Sequence, residues 1–249
     1  MIGLNALAAA APDGYTLGYF STSQFLEATL SNRYALEKDF TPIIMVGLTP
    51  LILVANAGTG IKTLKQMIEA AKAKPKSLNY GSGGSGGLLH FAMEFVLKEA
   101  KIDVVHVPYK GAGPALVDLL GGQVQLAVTT PAAVMPYVKS GQVNALAVTG
   151  EVGTSLAPGV PTFSEAGMRN INFSTWYGLF GPSKMAPELV DKIARSVTSA
   201  ALPLSVKKRF ADEGLDLAIK PPGDFARSIK DEREQWLQLA RDIKFTKEK

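Results

Sequence analysis

From Tyr15 to Val148 short β-forming runs alternate with stretches of helical spacing. Tyr15-Thr16-Leu17-Gly18-Tyr19-Phe20 follows the turn Pro12-Asp13-Gly14 and is rich in β-formers, which predicts a strand. The alanine-rich stretch Ala6–Ala11 before that turn predicts a helix. Phe40–Ala55 is a long run of Ile, Val and Leu broken at Pro50, predicting one or two buried strands. Thr63–Ala73 has helical spacing, with Thr63 placed to cap it. Leu78–Tyr80, Asp103–Val107, Val124–Val128 and Asn144–Val148 predict further strands. Helices are expected between them over Leu88–Ala100, Pro114–Leu120 and Pro131–Ser140. Strands alternating with helices of about 10–15 residues imply βαβ units and a mostly parallel sheet.

After Gly150 the rhythm changes. Leu156–Gly167 is rich in Pro and Gly and predicts irregular structure, and Asn170–Phe180 predicts a long aromatic strand. Helices are expected over Ala186–Ala201, Leu204–Glu213 and Pro222–Ile243, with a strand at Leu215–Ile219 and a solvated tail over Lys244–Lys249.

Composition narrows the function classes. The chain has 249 residues, of which 47% are hydrophobic and 19% charged, values that support a sizeable core and exclude general disorder. The 26 basic and 22 acidic side chains leave a charge of +4, dispersed rather than gathered into a nucleic-acid stripe. No apolar run reaches the roughly 18 residues of a membrane-spanning helix. There is no cysteine, which excludes disulfides, thiolate nucleophiles and zinc ribbons. His90 and His106 are the only histidines, thin material for a metal site or a general base. His90 and Glu94 share a helix face but lack an evident third ligand, so no metal and no cofactor is expected.

The loop Gly81-Ser82-Gly83-Gly84-Ser85-Gly86-Gly87 carries most of the local information. It lies between a predicted strand and a predicted helix, where backbone N–H groups and the helix dipole attract anions. Gly81, Gly83 and Gly86 also fit a dinucleotide fingerprint, but Asp103 falls at the start of the next strand, the wrong edge to hold a ribose. Gly83-Gly84-Ser85-Gly86-Gly87 fits a nucleophile elbow, but no histidine follows His106 to complete a triad in that order. A serine hydrolase or a nucleotide-binding enzyme is therefore the alternative, and an anion cradle the main reading. A tight turn needing glycine only for its backbone angles remains open beside both. Trp176 and Tyr177, on the aromatic strand, are either core or ring surfaces offered to a ligand.

Several segments together resemble one family. They are Ala11–Leu17, Leu78–Ser82, His106-Val107-Pro108-Tyr109-Lys110-Gly111-Ala112-Gly113-Pro114-Ala115, Gly121–Val124, Ala145–Thr149 and Val160–Gly167. The chain resembles the substrate-binding proteins of tripartite tricarboxylate transporters, the Bug or TctC type, nearly end to end. That resemblance implies an α/β, two-lobed type II periplasmic binding protein of Venus-flytrap form, without catalytic residues. The opening βαβ piece of the family is apparently missing, as in an N-terminally truncated member. Met1–Ala11 lacks the basic start of an export signal, so a periplasmic location is implied by the resemblance alone. The implied lobes are 1–55 with 180–249, and 56–179, with the strands near Ile43–Ala55 and Asn172–Phe180 as hinges. The implied partners are a small carboxylate ligand and transporter membrane subunits, for a monomer that binds no nucleic acid. Ligand contacts are expected from strand-end loops: Ser21, Thr22, Ser23, Ser82, Gly83, Gly84, Ser85, Gly86, Thr129 and Thr130, with Trp176 and Tyr177 beside them. Thr129-Thr130 stands where many relatives carry Asp-Asn, which argues against an α-amino acid as ligand.

Overall fold

The computed structural model describes residues 2–31, 34, 39–150, 154–169, 171 and 173–245. The predicted strand residues Asn170 and Asn172, and tail residues 246–249, lie outside them. The chain groups into two compact units, Met1–Thr49 with Thr175–Lys249, and Pro50–Ser174.

The first unit carries a four-stranded sheet. Its strands are β1 (Gly18–Ser21), β2 (Phe40–Pro50), β8 (Ser174–Pro182) and β9 (Asp216–Lys220), in the order β1-β8-β2-β9. β1 runs antiparallel to β8, and β9 antiparallel to β2. Its helices are α1 (Ile2–Ala8), α2 (Thr22–Ser31), α7 (Pro187–Ala201), α8 (Leu204–Asp212) and α9 (Pro222–Asp242). α1 buries Leu4 and Leu7 and ends at Ala8, partway through the alanines that suggested it. Spacing of apolar residues decides α7, which turns Val190 and Ala194 inward on Ile43, Ile44 and Val46 of β2.

The second unit carries five strands in the order β5-β4-β6-β3-β7. They are β3 (Ile52–Asn56), β4 (Asn79–Ser82), β5 (Val105–Pro108), β6 (Leu126–Thr129) and β7 (Val143–Val148). β4 pairs parallel with both β5 and β6, whereas β3 is antiparallel to β6 and β7. The sheet is thus mixed, not mostly parallel. The physical reason is the break after Pro50: the apolar run continues as β3 in a new sheet and enters it from the end where β6 and β7 finish. Its helices are α3 (Leu64–Ala73), α4 (Leu88–Ala100), α5 (Ala112–Leu120) and α6 (Pro131–Lys139). Thr63 caps α3 in a reciprocal pair with Gln66. Ile52, Val54, Val124, Val134, Val143 and Val148 form the dry centre of this unit.

Candidate functional site

In the second unit each of three neighbouring parallel strands runs directly into a helix. β4 leads to α4, β5 to α5 and β6 to α6, so the three helix N-termini gather at the C-terminal edge of the sheet. A helix leaves its first N–H groups without intrahelical partners, and its dipole makes that end positive. The residues preceding these helices, Gly87, Gly111 and Thr130, make no side-chain capping bond. Ordinarily a side-chain oxygen would quench such an end; here three ends are left to face the same edge.

The loop Gly83–Gly87 fills the space between β4 and α4. Gly84 (φ 137°) and Gly86 (φ 79°) adopt angles that favour glycine. Gly83 is needed for a different reason: a Cβ there would stand 2.9 Å from the Ala112 backbone nitrogen. The loop is zipped onto the β5–α5 connection, where the Gly111 N–H donates to the Gly83 carbonyl (3.1 Å) and the Tyr109 N–H to the Ser82 carbonyl (2.9 Å). A pocket of about 10 Å³, room for one water or one carboxylate oxygen, opens here. Ser82, Gly83 and Thr129 supply its polar wall; Leu89, Ala112 and Leu116 supply apolar wall.

Among the residues expected in this unit, Ser82, Gly83, Gly84, Ser85, Gly86, Thr129 and Thr130 therefore come to one sheet edge. They are not equivalent. Ser85 is exposed and Thr130 half-buried, so their hydroxyls can meet solvent. Ser82 is buried and its hydroxyl is engaged by His106 Nε2 at 2.7 Å and by the Gly84 backbone. Its hydroxyl thereby holds the loop from behind while the residue lines the pocket.

Behind the loop lies a polar cluster that the sequence did not announce. The imidazoles of His90 and His106 stack with centroids 4.0 Å apart, and Tyr80 stacks on His106 at 4.8 Å. His90 Nδ1 accepts the Gly86 N–H at 3.0 Å. Tyr80 donates to Glu94 Oε1 at 2.5 Å, and His90 Nε2 stands 3.8 Å from the same oxygen. Burial lowers the His90 pKa to about 4, assisted by the neighbouring His106, and burial also lowers His106. Burial raises Glu94 and, further, Tyr80. The signal in sequence would have been the parallel register that sets Tyr80 beside His106, which follows only once β4 and β5 are known to be neighbours.

The first unit brings Ser21, Thr22, Ser23, Trp176 and Tyr177 together where β1 meets α2 and β8. Ser21 spends both its N–H and its hydroxyl on Gln24 Oε1. Thr22 is buried and accepts the Trp176 N–H at 2.9 Å. Trp176 is 5% exposed, packed among Phe25, Phe180 and Phe225, and its indole N–H donates to Glu232. Of its two sequence readings, the structure gives core packing, because an aromatic of that size fills the space between β8, α2 and α9. Glu232 also accepts the Trp236 N–H at 3.0 Å, and burial pushes its pKa up to about 7. Ser23 is exposed, and Tyr177 is half-buried, stacked on Tyr19 at 5.8 Å.

The enzyme readings find no support in this geometry. His90 Nδ1 is occupied by the Gly86 amide, while Ser82 is buried behind the loop with its hydroxyl against the half-buried His106. Asp103 precedes β5, at the edge away from the loop. Among the described residues, no group of three His, Asp or Glu could hold a metal ion, and no helix is long and apolar enough to cross a membrane.

Comparison with known proteins decides the family. The sequence profile described as tripartite tricarboxylate transporter family receptor matches residues 1–245. The chain belongs to this family, TctC. It is 32% identical over 246 residues to protein BugT of Bordetella pertussis, covering 97% of this chain and 76% of that one. Among solved structures, a TctC solute-binding protein from Polaromonas without ligand matches with a TM-score of 0.83 at 25% identity, over 97% of this chain and 83% of the other. MatC of Rhodopseudomonas palustris, with bound malate, matches with a TM-score of 0.75 at 27% identity, over 96% and 83%. An R. palustris protein with adipate matches at 0.77 and 25%, over 96% and 81%. The TctC fold is that of the periplasmic binding proteins, α/β with two sheets, and its members are solute-binding proteins rather than enzymes.

Proposed function

We propose that this chain captures a small dicarboxylate in the periplasm and hands it to the membrane subunits of a tripartite transporter. The observation that carries the reading is the gathering of three helix N-termini without side-chain caps around a glycine loop, at one sheet edge. One carboxylate would be held there by backbone N–H groups of Ser85, Leu88 and Leu89 and by the hydroxyls of Ser85 and Thr130. Neutral donors of this kind fit carboxylates of different length, because the small pocket need take only one carboxylate oxygen. Malate and adipate, bound by two solved relatives, are the first candidates. Ser23 and the stacked Tyr19–Tyr177 pair of the first unit are proposed as further ligand contacts. The chain passes between the units at 49–50 and 174–175, the proposed hinge positions.

Calorimetric titration with malate, adipate, acetate and glutamate tests the proposal. Micromolar binding of a dicarboxylate, about −8 kcal/mol, with weaker acetate and glutamate, is the expected result. Absence of binding by both dicarboxylates at millimolar concentration would refute it.

A further inference from the structure

We propose that His90 is the positioning residue of the glycine loop: its unprotonated Nδ1 fixes Gly86, and taking up a proton there releases the loop. The inference deepens the carboxylate-binding proposal, since the same loop is the floor of that anion site.

The argument starts from the hydrogen bond. Gly86 donates its N–H to His90 Nδ1 at 3.0 Å, four residues on and one turn into α4. An imidazole nitrogen accepts only while it carries no hydrogen, so the bond requires a neutral ring with its proton on Nε2. That assignment is consistent with Nε2 facing Glu94 Oε1 at 3.8 Å. A proton added at Nδ1 would confront the Gly86 N–H with a second donor, and the two would part. Gly86 sits at φ 79°, and the next residue is tied to α4 by the Phe91 N–H on the Gly87 carbonyl (3.1 Å), so His90 adds the tie at Gly86 itself.

The surroundings keep the lock neutral. His106, on β5, stacks at 4.0 Å, so a charge on either ring opposes a charge on the other. Tyr80, on β4, closes the stack from His106 and sends its hydroxyl to Glu94. Glu94, on α4, would favour a charged His90; burial first and Asp103 after it raise its own proton affinity against the lowering Tyr80 hydrogen bond, which blunts that pull. Burial and His106 lower His90 to about 4. His106 contributes a second tie through Ser82, whose hydroxyl also meets the Gly84 N–H at 3.3 Å. The loop is thereby pinned at both ends by the two histidines.

The test is hydrogen exchange of the Gly86 amide in the whole chain, labelled with 15N-glycine and followed by NMR, with β3 amides as the control for global unfolding. In the wild type, Gly86 protection should hold at neutral pH and fall by about tenfold or more across the His90 ring titration. His90→Phe keeps a flat ring without an acceptor; Gly86 should exchange about tenfold faster already at neutral pH while β3 stays protected. His90→Asn returns an oxygen near the position of Nδ1 that takes no proton in this range. It should restore protection and abolish the acid step. Wild-type protection in His90→Phe, or an undiminished acid step in His90→Asn, would overturn the inference whether or not a carboxylate binds. Malate titration on the same samples separates the two proposals: a loop that responds as expected in a chain that binds neither malate nor adipate refutes the functional proposal and upholds the role of His90.

Discussion

Replacing Glu232 by Gln removes a titrating carboxyl from the aromatic core of the first unit. In the folded chain burial raises this group to about 7 against an ordinary 4.5, with the Trp176 and Trp236 donors and Lys220 pulling the other way. Below about pH 4.5 both folded and unfolded chains hold the proton, and the group has no effect on stability. Between there and about pH 7 the unfolded chain has released the proton and the folded chain has not, so stability falls as pH rises. Above about 7 the loss is complete. A difference of about 2.5 pH units at about 1.4 kcal/mol each bounds the effect at about 3.5 kcal/mol. The residue as a whole is partly exposed, so screening reduces the expected loss to about 1–2 kcal/mol. Gln keeps one oxygen for the indoles, at a fixed cost of about 1 kcal/mol for the donor left short, and has no pH dependence of its own. Urea unfolding followed by tryptophan fluorescence is well placed, because the chain's two tryptophans are the two donors. The stability of E232Q relative to wild type should improve by about 1–2 kcal/mol from about pH 5 to about pH 8. Parallel curves over that range would refute the reasoning.

Thr63 and Thr130 both precede helices but only Thr63 caps one, which separates stability from binding. Thr63→Ala should cost about 1 kcal/mol in unfolding free energy and leave malate affinity unchanged. Thr130→Ala should weaken malate about fivefold by calorimetry while changing unfolding little, as expected for the loss of a single hydrogen bond of about 1 kcal/mol. Gly83→Ala drives a Cβ into the Gly111–Ala112 backbone, so the loop must move. A stability loss of about 1–3 kcal/mol in urea unfolding, together with weaker malate binding, is expected.

Local chemistry was legible in the sequence where it acts over a few residues. Thr63 announces a capped helix start, and the glycines after Tyr80 announce a strand-to-helix turn. The family resemblance likewise rested on contiguous segments. Contacts between distant residues were not legible. Nothing near Ser82 says that its hydroxyl turns inward to His106, 24 residues on. Trp176 reads as core or as ligand surface until Glu232, 56 residues away, is seen to hold its indole nitrogen. Strand direction failed for a related reason: periodicity reveals that Ile52–Asn56 is a strand but not the end from which it enters its sheet.

The nesting of one unit within the other in chain order bears on how the protein is made. Residues 50–174 are continuous, so their sheet can form without any strand of the other unit. β1, by contrast, finds its neighbour β8 only after more than 150 further residues, with Gly18 opposite Phe180. Until β8 is present, the pairing edge of β1 is open.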